Sequence, residues 1–362
     1  MAVYTQIDNS ELYFQCKLYT GNGSDDKAVT FDNTDTNMSP NIVWIKSRTQ
    51  SGYNHYLVDT LRGVTKALRP NLYNDEDTYS DAFKSFDSNG FTLDDDTSNS
   101  EINQNTKTYA AWCWKAGTTG SGTTTGSGTG QAYTYSVDTT AGVSMMAYTG
   151  NGTANHTIPH HLGSIPELFM VKIRSGDNNN WGVYHHKSNA NPEQYALYLD
   201  STTAATDDAF LNDVAPTSTV INLSGGNYGN VNTNTYMAYC FSEVQGFSKF
   251  GEYSGNDNVD GPYVHLGFKP AFFMTKKRNG AKDWNFYDNK RSDSGGGNPN
   301  DQYVEANTNA AEQSGQDVDF LSTGVKIRSS SNEVNGDDND FIYIAFAESP
   351  LVNSNGVPNN AE

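Results

Sequence analysis

One aromatic run occurs three times in this chain, and its spacing constrains the fold more than any other feature. The copies are Thr108-Tyr109-Ala110-Ala111-Trp112-Cys113-Trp114, Thr235-Tyr236-Met237-Ala238-Tyr239-Cys240-Phe241 and Phe341-Ile342-Tyr343-Ile344-Ala345-Phe346. Each has the length and aromatic content of a buried strand and follows a cluster of Asn, Asp or Thr. Two further landmarks keep the same register. A proline opens an apolar run at Pro40, Pro166 and Pro270, with intervals of 126 and 104 residues. A turn follows a tyrosine at Tyr19, Tyr148 and Tyr253, with intervals of 129 and 105. Three landmarks at nearly constant offsets define an internal repeat of about 100–130 residues.

Each repeat reads as a succession of short strands. A first strand ends in Tyr19-Thr20-Gly21-Asn22-Gly23 or its counterparts Tyr148-Thr149-Gly150-Asn151-Gly152 and Tyr253-Ser254-Gly255-Asn256-Asp257. Gly and Asn tolerate the positive φ of a tight turn. A Gly-Asn-Gly loop could also cradle phosphate, but no Lys-Ser/Thr follows it. The proline-led strand comes next, with Pro at a position that costs no ladder bond. An aromatic segment follows at 55–59, 181–185 and 284–288; its alternation of large and polar residues predicts a half-solvated antiparallel strand. With later strands near 88–93, 217–223 and 322–327, each repeat holds about seven strands. The expectation is an all-β chain of three tandem antiparallel β-sandwich modules, of jelly-roll or immunoglobulin-like type.

The expected layout is module 1 with an N-terminal arm at 1–117, a linker at 118–130, module 2 at 131–246, module 3 at 247–350 and a C-terminal arm at 351–362. The run GTTGSGTTTGSGTG from Gly117 to Gly130 has the composition of a flexible linker. Modules 2 and 3 join through Val244-Gln245-Gly246-Phe247-Ser248 alone, which predicts rigid docking.

Composition narrows the function classes. Only 35% of residues are hydrophobic, yet 12% are aromatic, so the cores are expected to be built from Tyr, Phe and Trp. The regular aromatic strands argue against disorder. Lys and Arg number 23 against 42 Asp and Glu, a net charge of −19. That field repels phosphate backbones and anionic membranes, so neither nucleic acid nor membrane insertion is expected. The first residues, Met1 to Gln6, lack the basic and apolar regions of a signal peptide. Cys16, Cys113 and Cys240 are odd in number; the last two hold equivalent places, as small buried hydrophobes rather than half-bridges would.

Several elements together carry a family resemblance. These are the YTGNG turn, the Pro-led V-W-I-K strand, the D-x-x-R-G-x-T-K segment from Asp59 to Lys66, the S-F-D-S-N-G-F-T-L strand and the T-Y-A-A-W-C-W-K-A-G end. The later F-S-K-F-G-x-Y and A-F-A-E-x-P elements fit as well. The whole chain resembles a repeat family of virion structural or fibre-type proteins of marine tailed bacteriophages. The resemblance implies a non-enzymatic virion component of tail- or head-fibre type, in particle architecture or host-surface attachment, with a capsid decoration protein as the alternative. Other virion proteins and a host surface glycan would be its partners.

Candidate chemistry is sparse. His156, His160, His161, His185 and His186 all fall in the second repeat, but each is also a plausible turn histidine bound to backbone. The acidic loops Asp94-Asp95-Asp96, Asp257 with Asp260, and Asp337-Asp338 with Asp340 could offer oxygens to calcium, yet none has EF-hand spacing. A glycan depolymerase would need two flanking carboxylates, and with 42 acids chance pairs are certain. No catalytic residue, cofactor or metal is expected. Four aromatics, Tyr73, Tyr79, Trp181 and Tyr228, are the candidates for stacking on sugar rings from the surface. The short cores and the arms at either end predict a homo-oligomer, a trimer if the chain is a fibre, with an arm packed on a neighbouring chain.

Overall fold

The computed structural model describes residues 4–32, 37–226, 228–292 and 297–359. The described chain is all-β, built from antiparallel sheets with only three-residue 3₁₀ turns besides. This follows from a sequence rich in aromatic and β-branched residues and punctuated by Gly, Asn and Asp.

One four-strand arrangement occurs three times. An opening strand (Phe14–Thr20, Val143–Thr149, Ser248–Ser254) pairs with a closing strand (Thr108–Trp114, Thr235–Phe241, Asp340–Pro350). The closing strand pairs on its other side with the proline strand (Ile42–Ser47, Leu168–Ser175, Phe268–Lys277). The proline strand in turn pairs with the aromatic strand (Tyr56–Asp59, Gly182–His185, Trp284–Asp288). Register is kept as well as order: Trp112 lies between Cys16 and Trp44, Tyr239 between Met145 and Met170, and Ile344 between Phe250 and Met274. Pro40 and Pro166 precede their strands, whereas Pro270 lies within one, where the pairing register shifts on both sides of it.

A central strand has two faces to bury, and the closing strands are apolar on both. Tyr109, Ala111 and Cys113 face the outer core of repeat 1, and Tyr236, Ala238 and Cys240 that of repeat 2. The alternate residues Trp112, Trp114, Tyr239 and Phe241 join Ile344 and Phe346 in one core shared by all three repeats. Ile42, Leu168 and Phe272, then Trp44, Met170 and Met274, then Trp114, Phe241 and Phe346 line an apolar cavity of about 30 Å³ at its centre. Each triplet is one repeat position seen three times, so the sheets are arranged about a pseudo-threefold axis within a single chain. The aromatic strands lie against this arrangement and are buried along their whole length. They are not half-solvated as expected, because Asp59, His185 and Asp288 meet a neighbouring repeat instead of water.

The tyrosine-led turn is a latch. Buried Asn103, Asn230 and Asn335 accept from the N–H groups of Asn22, Asn151 and Asn256 at 2.8–3.0 Å. Their amide groups donate to two loop carbonyls each, Ser24 and Asp94, Thr153 and Ser224, and Asn258 and Ser329. A Cβ on Gly21, Gly150 or Gly255 would stand 2.2–2.4 Å from a backbone oxygen beside the latch, so these positions require glycine for close approach.

The Gly/Thr/Ser stretch is not a linker. Thr118–Thr123 pairs along its length with Ala132–Asp138, extending the sheet of repeat 2, and Thr125–Gly126 pairs with His156–Pro159. Gly120 and Gly122 sit opposite Tyr135 and Tyr133, whose rings occupy the space a side chain would need. At the N-terminus, Val3 lies outside the described residues. Tyr4 donates to the Gly267 carbonyl, Thr5 and Ile7 are buried, and Asp8 accepts from the Ser354 N–H and hydroxyl at 2.6 Å. The described part of each arm thus packs on its own chain. The repeats also gain from their shared core the burial that small separate cores would lack.

Candidate functional site

A set of buried polar groups lies at the three seams where one repeat meets the next. The first position of the aromatic strand region carries His55, Trp181 or Trp284. Trp181 Nε1 donates to Arg69 O of repeat 1 at 2.9 Å, Trp284 Nε1 to Tyr198 O of repeat 2 at 2.9 Å, and His55 Nε2 contacts Glu305 O of repeat 3 at 3.0 Å. The direction is the same each time, repeat 2 onto 1, 1 onto 3 and 3 onto 2, so the contacts close into a ring.

Two seams add a buried ionic relay. Tyr239 Oη donates to Asp59 Oδ2 at 2.6 Å, and Trp112 Nε1 donates to Asp288 Oδ2 at 2.9 Å. Each aspartate holds an arginine three residues on, Arg62 or Arg291, at 2.5 and 2.6 Å, with all four side chains fully buried. Each arginine then reaches a glutamate, Glu76 or Glu312, at 3.3 Å. Those glutamates also clasp an arginine of the adjoining repeat in a bidentate pair, Arg174 on Glu76 at 2.9 and 3.1 Å and Arg48 on Glu312 at 2.9 and 2.7 Å. The third seam has His185, Ser188 and Ala205 where the others have Asp, Arg and Glu. His185 Nε2 meets the Tyr343 carbonyl at 3.1 Å, and burial pushes its pKa down to about 3.

A buried lysine recurs at one repeat position, and in two of the three repeats it crosses a seam. Burial lowers Lys46 and Lys172 to about 8 and Lys276 to about 7. Lys172 and Lys276 donate to carbonyls of the adjoining repeat, Tyr73 O at 2.7 Å and Thr202 O at 3.0 Å. His185 and the three lysines, taken alone, have the perturbed titration expected at a catalytic site. Here each faces a structural partner.

The four aromatics named from the sequence fall in different settings. Tyr73 is 57% exposed, with its carbonyl on Lys172. Tyr79 is half-buried, its hydroxyl accepting from Arg69 Nη2 at 2.9 Å and its ring 5.3 Å from the Arg69 guanidinium. Tyr228 is half-buried against Tyr198. Trp181 is wholly buried and stacks on Tyr239, which removes it from any exposed surface; its polar edge is taken by the seam. Tyr263, 44% exposed, is a surface aromatic the sequence reading passed over.

The histidines of repeat 2 are engaged separately. His156 contacts Asn151 and Ser127 O, His160 contacts Thr217 O, His161 stacks on Tyr135 at 3.7 Å, and His186 contacts Phe250 O. The acidic loops pair with cations or backbone: Asp94 with Lys84, Asp260 with Lys326, Asp340 with Arg278, and Asp96 with the N–H groups of Ile102 and Asn103. Among the described residues no three His, Cys, Asp or Glu side chains are grouped as a metal site. All three cysteines are free and buried. The seam relay was missed in the sequence, although its signal was there. At the repeat offsets, Asp59-x-x-Arg62 and Asp288-x-x-Arg291 align with His185-x-x-Ser188.

Fold and seams together define an all-β protein of three internally repeated sheets closed through ionic and aromatic contacts. The chain belongs to the family described as Domain of unknown function (DUF7483), which matches residues 9–350 and so takes in all three repeats. No curated protein and no solved structure matches it.

Proposed function

We propose that this protein is a non-enzymatic structural component of a phage virion, of tail- or head-fibre type, made of three tandem β-sandwich modules and acting in particle architecture or host-surface attachment. The observation that supports it best is the use of the buried ionisable groups. Asp59, Arg62, Glu76, Asp288, Arg291, Glu312, Lys172 and Lys276 are committed to joining one repeat to the next. A chain that spends its buried charge on holding lobes together is suited to bearing load and presenting loops. The resemblance of its turn and strand motifs to virion proteins gives the role its setting, with self, other virion proteins and a host glycan as partners. The pseudo-threefold arrangement favours a second reading, a decoration protein seated on a threefold feature of a capsid.

The test is immunogold labelling of intact particles with antibody against the full chain. Label at tail tips or head fibres supports attachment, and label spread over the capsid supports decoration. Particles that lack the chain by mass spectrometry would contradict both. New reducing ends released from host polysaccharide would instead make the protein a depolymerase.

A further inference from the structure

We propose that the seam between repeats 2 and 3 is a binding site for a small carboxylate. One repeat position differs across the three seams. Arg174, Arg48 and Arg278 are equivalent, and the backbone confirms it: the N–H groups of Glu76, Glu312 and Ala205 donate to their respective carbonyls at 3.1, 2.9 and 2.8 Å. In two seams the residue so placed is a glutamate whose carboxylate lies between two arginines, Arg62 and Arg174 or Arg291 and Arg48. In the third it is Ala205, and the carboxylate has no counterpart.

The space is open. A cavity of about 400 Å³, in the range of small-molecule sites, is lined there by Ser188, Asn189, Ala204, Ala205, Arg278 and Asp340, among others. Ser188 stands where Arg62 and Arg291 stand in the complete seams. It is 1% exposed, and its hydroxyl is buried without a hydrogen-bond partner. A buried donor left unmade is costly, so the position favours a ligand acceptor. Arg278 donates through Nη1 to Lys187 O and through Nη2 to Asp340. In both complete seams the arginine grips its glutamate through Nε and Nη2. A ligand carboxylate between Ser188 Oγ and the Nε edge of Arg278 would restore the bridging group that the chain itself provides twice elsewhere.

Glu252 and Asp340 are the acids now paired with Arg278, at 2.6 and 3.0 Å. Both side chains are 40% exposed, against 8% and 10% for Glu76 and Glu312. Exposed pairs of this kind are weak. Lys187, 3.8 Å from Glu252, offers that acid another partner. A ligand can therefore enter without stranding either carboxylate in a dry site. The same chemistry could arrive as a free organic acid or as the acid group of a uronic sugar. The site stands independently of the virion reading.

The experiment uses the full chain. Sodium acetate and sodium glucuronate are titrated at constant ionic strength up to about 100 mM, well above a millimolar Kd, with sodium chloride and glucose as controls. Melting temperature and calorimetric titration are read. Saturable binding of either carboxylate, lost at least tenfold in Ala205→Glu and in Arg278→Gln, is the expected result. Acetate alone would make the ligand a free acid, and stronger binding of glucuronate would make it an acidic sugar. Should Ala205→Glu not fold, Arg278→Gln decides. Absence of saturable binding, an equal response to glucose, or binding undiminished in the folded variants would overturn the proposal.

Discussion

The hydroxyl of Tyr239 donates to the carboxylate of Asp59 at 2.6 Å, across 180 residues of sequence and between two repeats. At the same position one repeat earlier, the indole of Trp112 does the same for Asp288. Two unlike side chains thus make one contact, because the position needs a long donor and the partner is a buried acid already holding an arginine. Tyr239→Phe leaves that acid one donor short and should cost about 1–3 kcal/mol. Asp59→Asn leaves Arg62 without its principal counter-charge and should cost about 3–5 kcal/mol. Urea unfolding of both variants checks the order; a Tyr239→Phe protein as weak as Asp59→Asn would remove the relay from the account.

The turn latch gives a second prediction. Asn230 satisfies three backbone groups at once while buried, and Asn230→Ala should destabilise by several kcal/mol, at about 1–3 kcal/mol for each group left unpaired. Gly150→Ala should be comparably damaging because its Cβ would meet Val231 O at 2.4 Å. Gly163→Ala is the control, with nothing within 4 Å of the added carbon, although its φ of +77° brings some strain. Equal melting temperatures for the 150 and 163 variants would sink the close-approach argument.

Stability should rise with pH above neutrality. Lys276, held near 7 by burial, and Lys46 and Lys172, held near 8, lose their protons in the folded chain while the unfolded chain keeps them to about pH 10.4. The unfolded state binds more protons over that window, so the folding free energy gains as pH rises from about 7 toward 10. Buried tyrosines with raised pKa values, Tyr239 among them, reverse the trend above their ordinary value. On the acid side His185, held neutral by burial, withdraws stability as pH falls below its ordinary value of about 6.5. Lys276→Met should flatten the slope between pH 7 and 9, measured by denaturation at each pH; an unchanged slope would show that Lys276 stays charged in the fold.

Proteolysis separates two readings of the stretch from 118 to 130. Its composition reads as a linker, whereas its strand pairing makes it part of a sheet. First cuts should avoid 118–123, since cleavage needs locally opened backbone. N-terminal sequencing that finds the earliest fragments starting within that strand would restore the linker.

The repeat and its strands were legible because period-2 alternation and turn chemistry are local, and because three copies reinforce one another. What lay opposite each strand was not. An apolar face reads alike whether it meets the second sheet of its own repeat or a neighbouring repeat, so Trp112, Trp114 and Phe346 gave no sign of a common core. For the same reason, polar residues alternating in the aromatic strands look solvent-facing whether they meet water or a neighbouring repeat. Asp59 and Asp288 proved buried because Arg62 and Arg291, three residues on, neutralise them locally. Composition shows only the entropy of glycine in 117–130, whereas Gly120 and Gly122 are small to make room for tyrosines on the next strand. Nothing near Trp181 in sequence shows that Arg69 O, 112 residues back, takes its N–H, so its burial is illegible locally.

The central claim is that three repeats form one body through a shared core and a closed ring of seams. Differential scanning calorimetry of the full chain tests it most directly. One transition whose calorimetric and van't Hoff enthalpies agree is the predicted result, shifted as a whole by Trp114→Ala in the shared core. Two or three separate transitions, with Trp114→Ala moving only one of them, would contradict it.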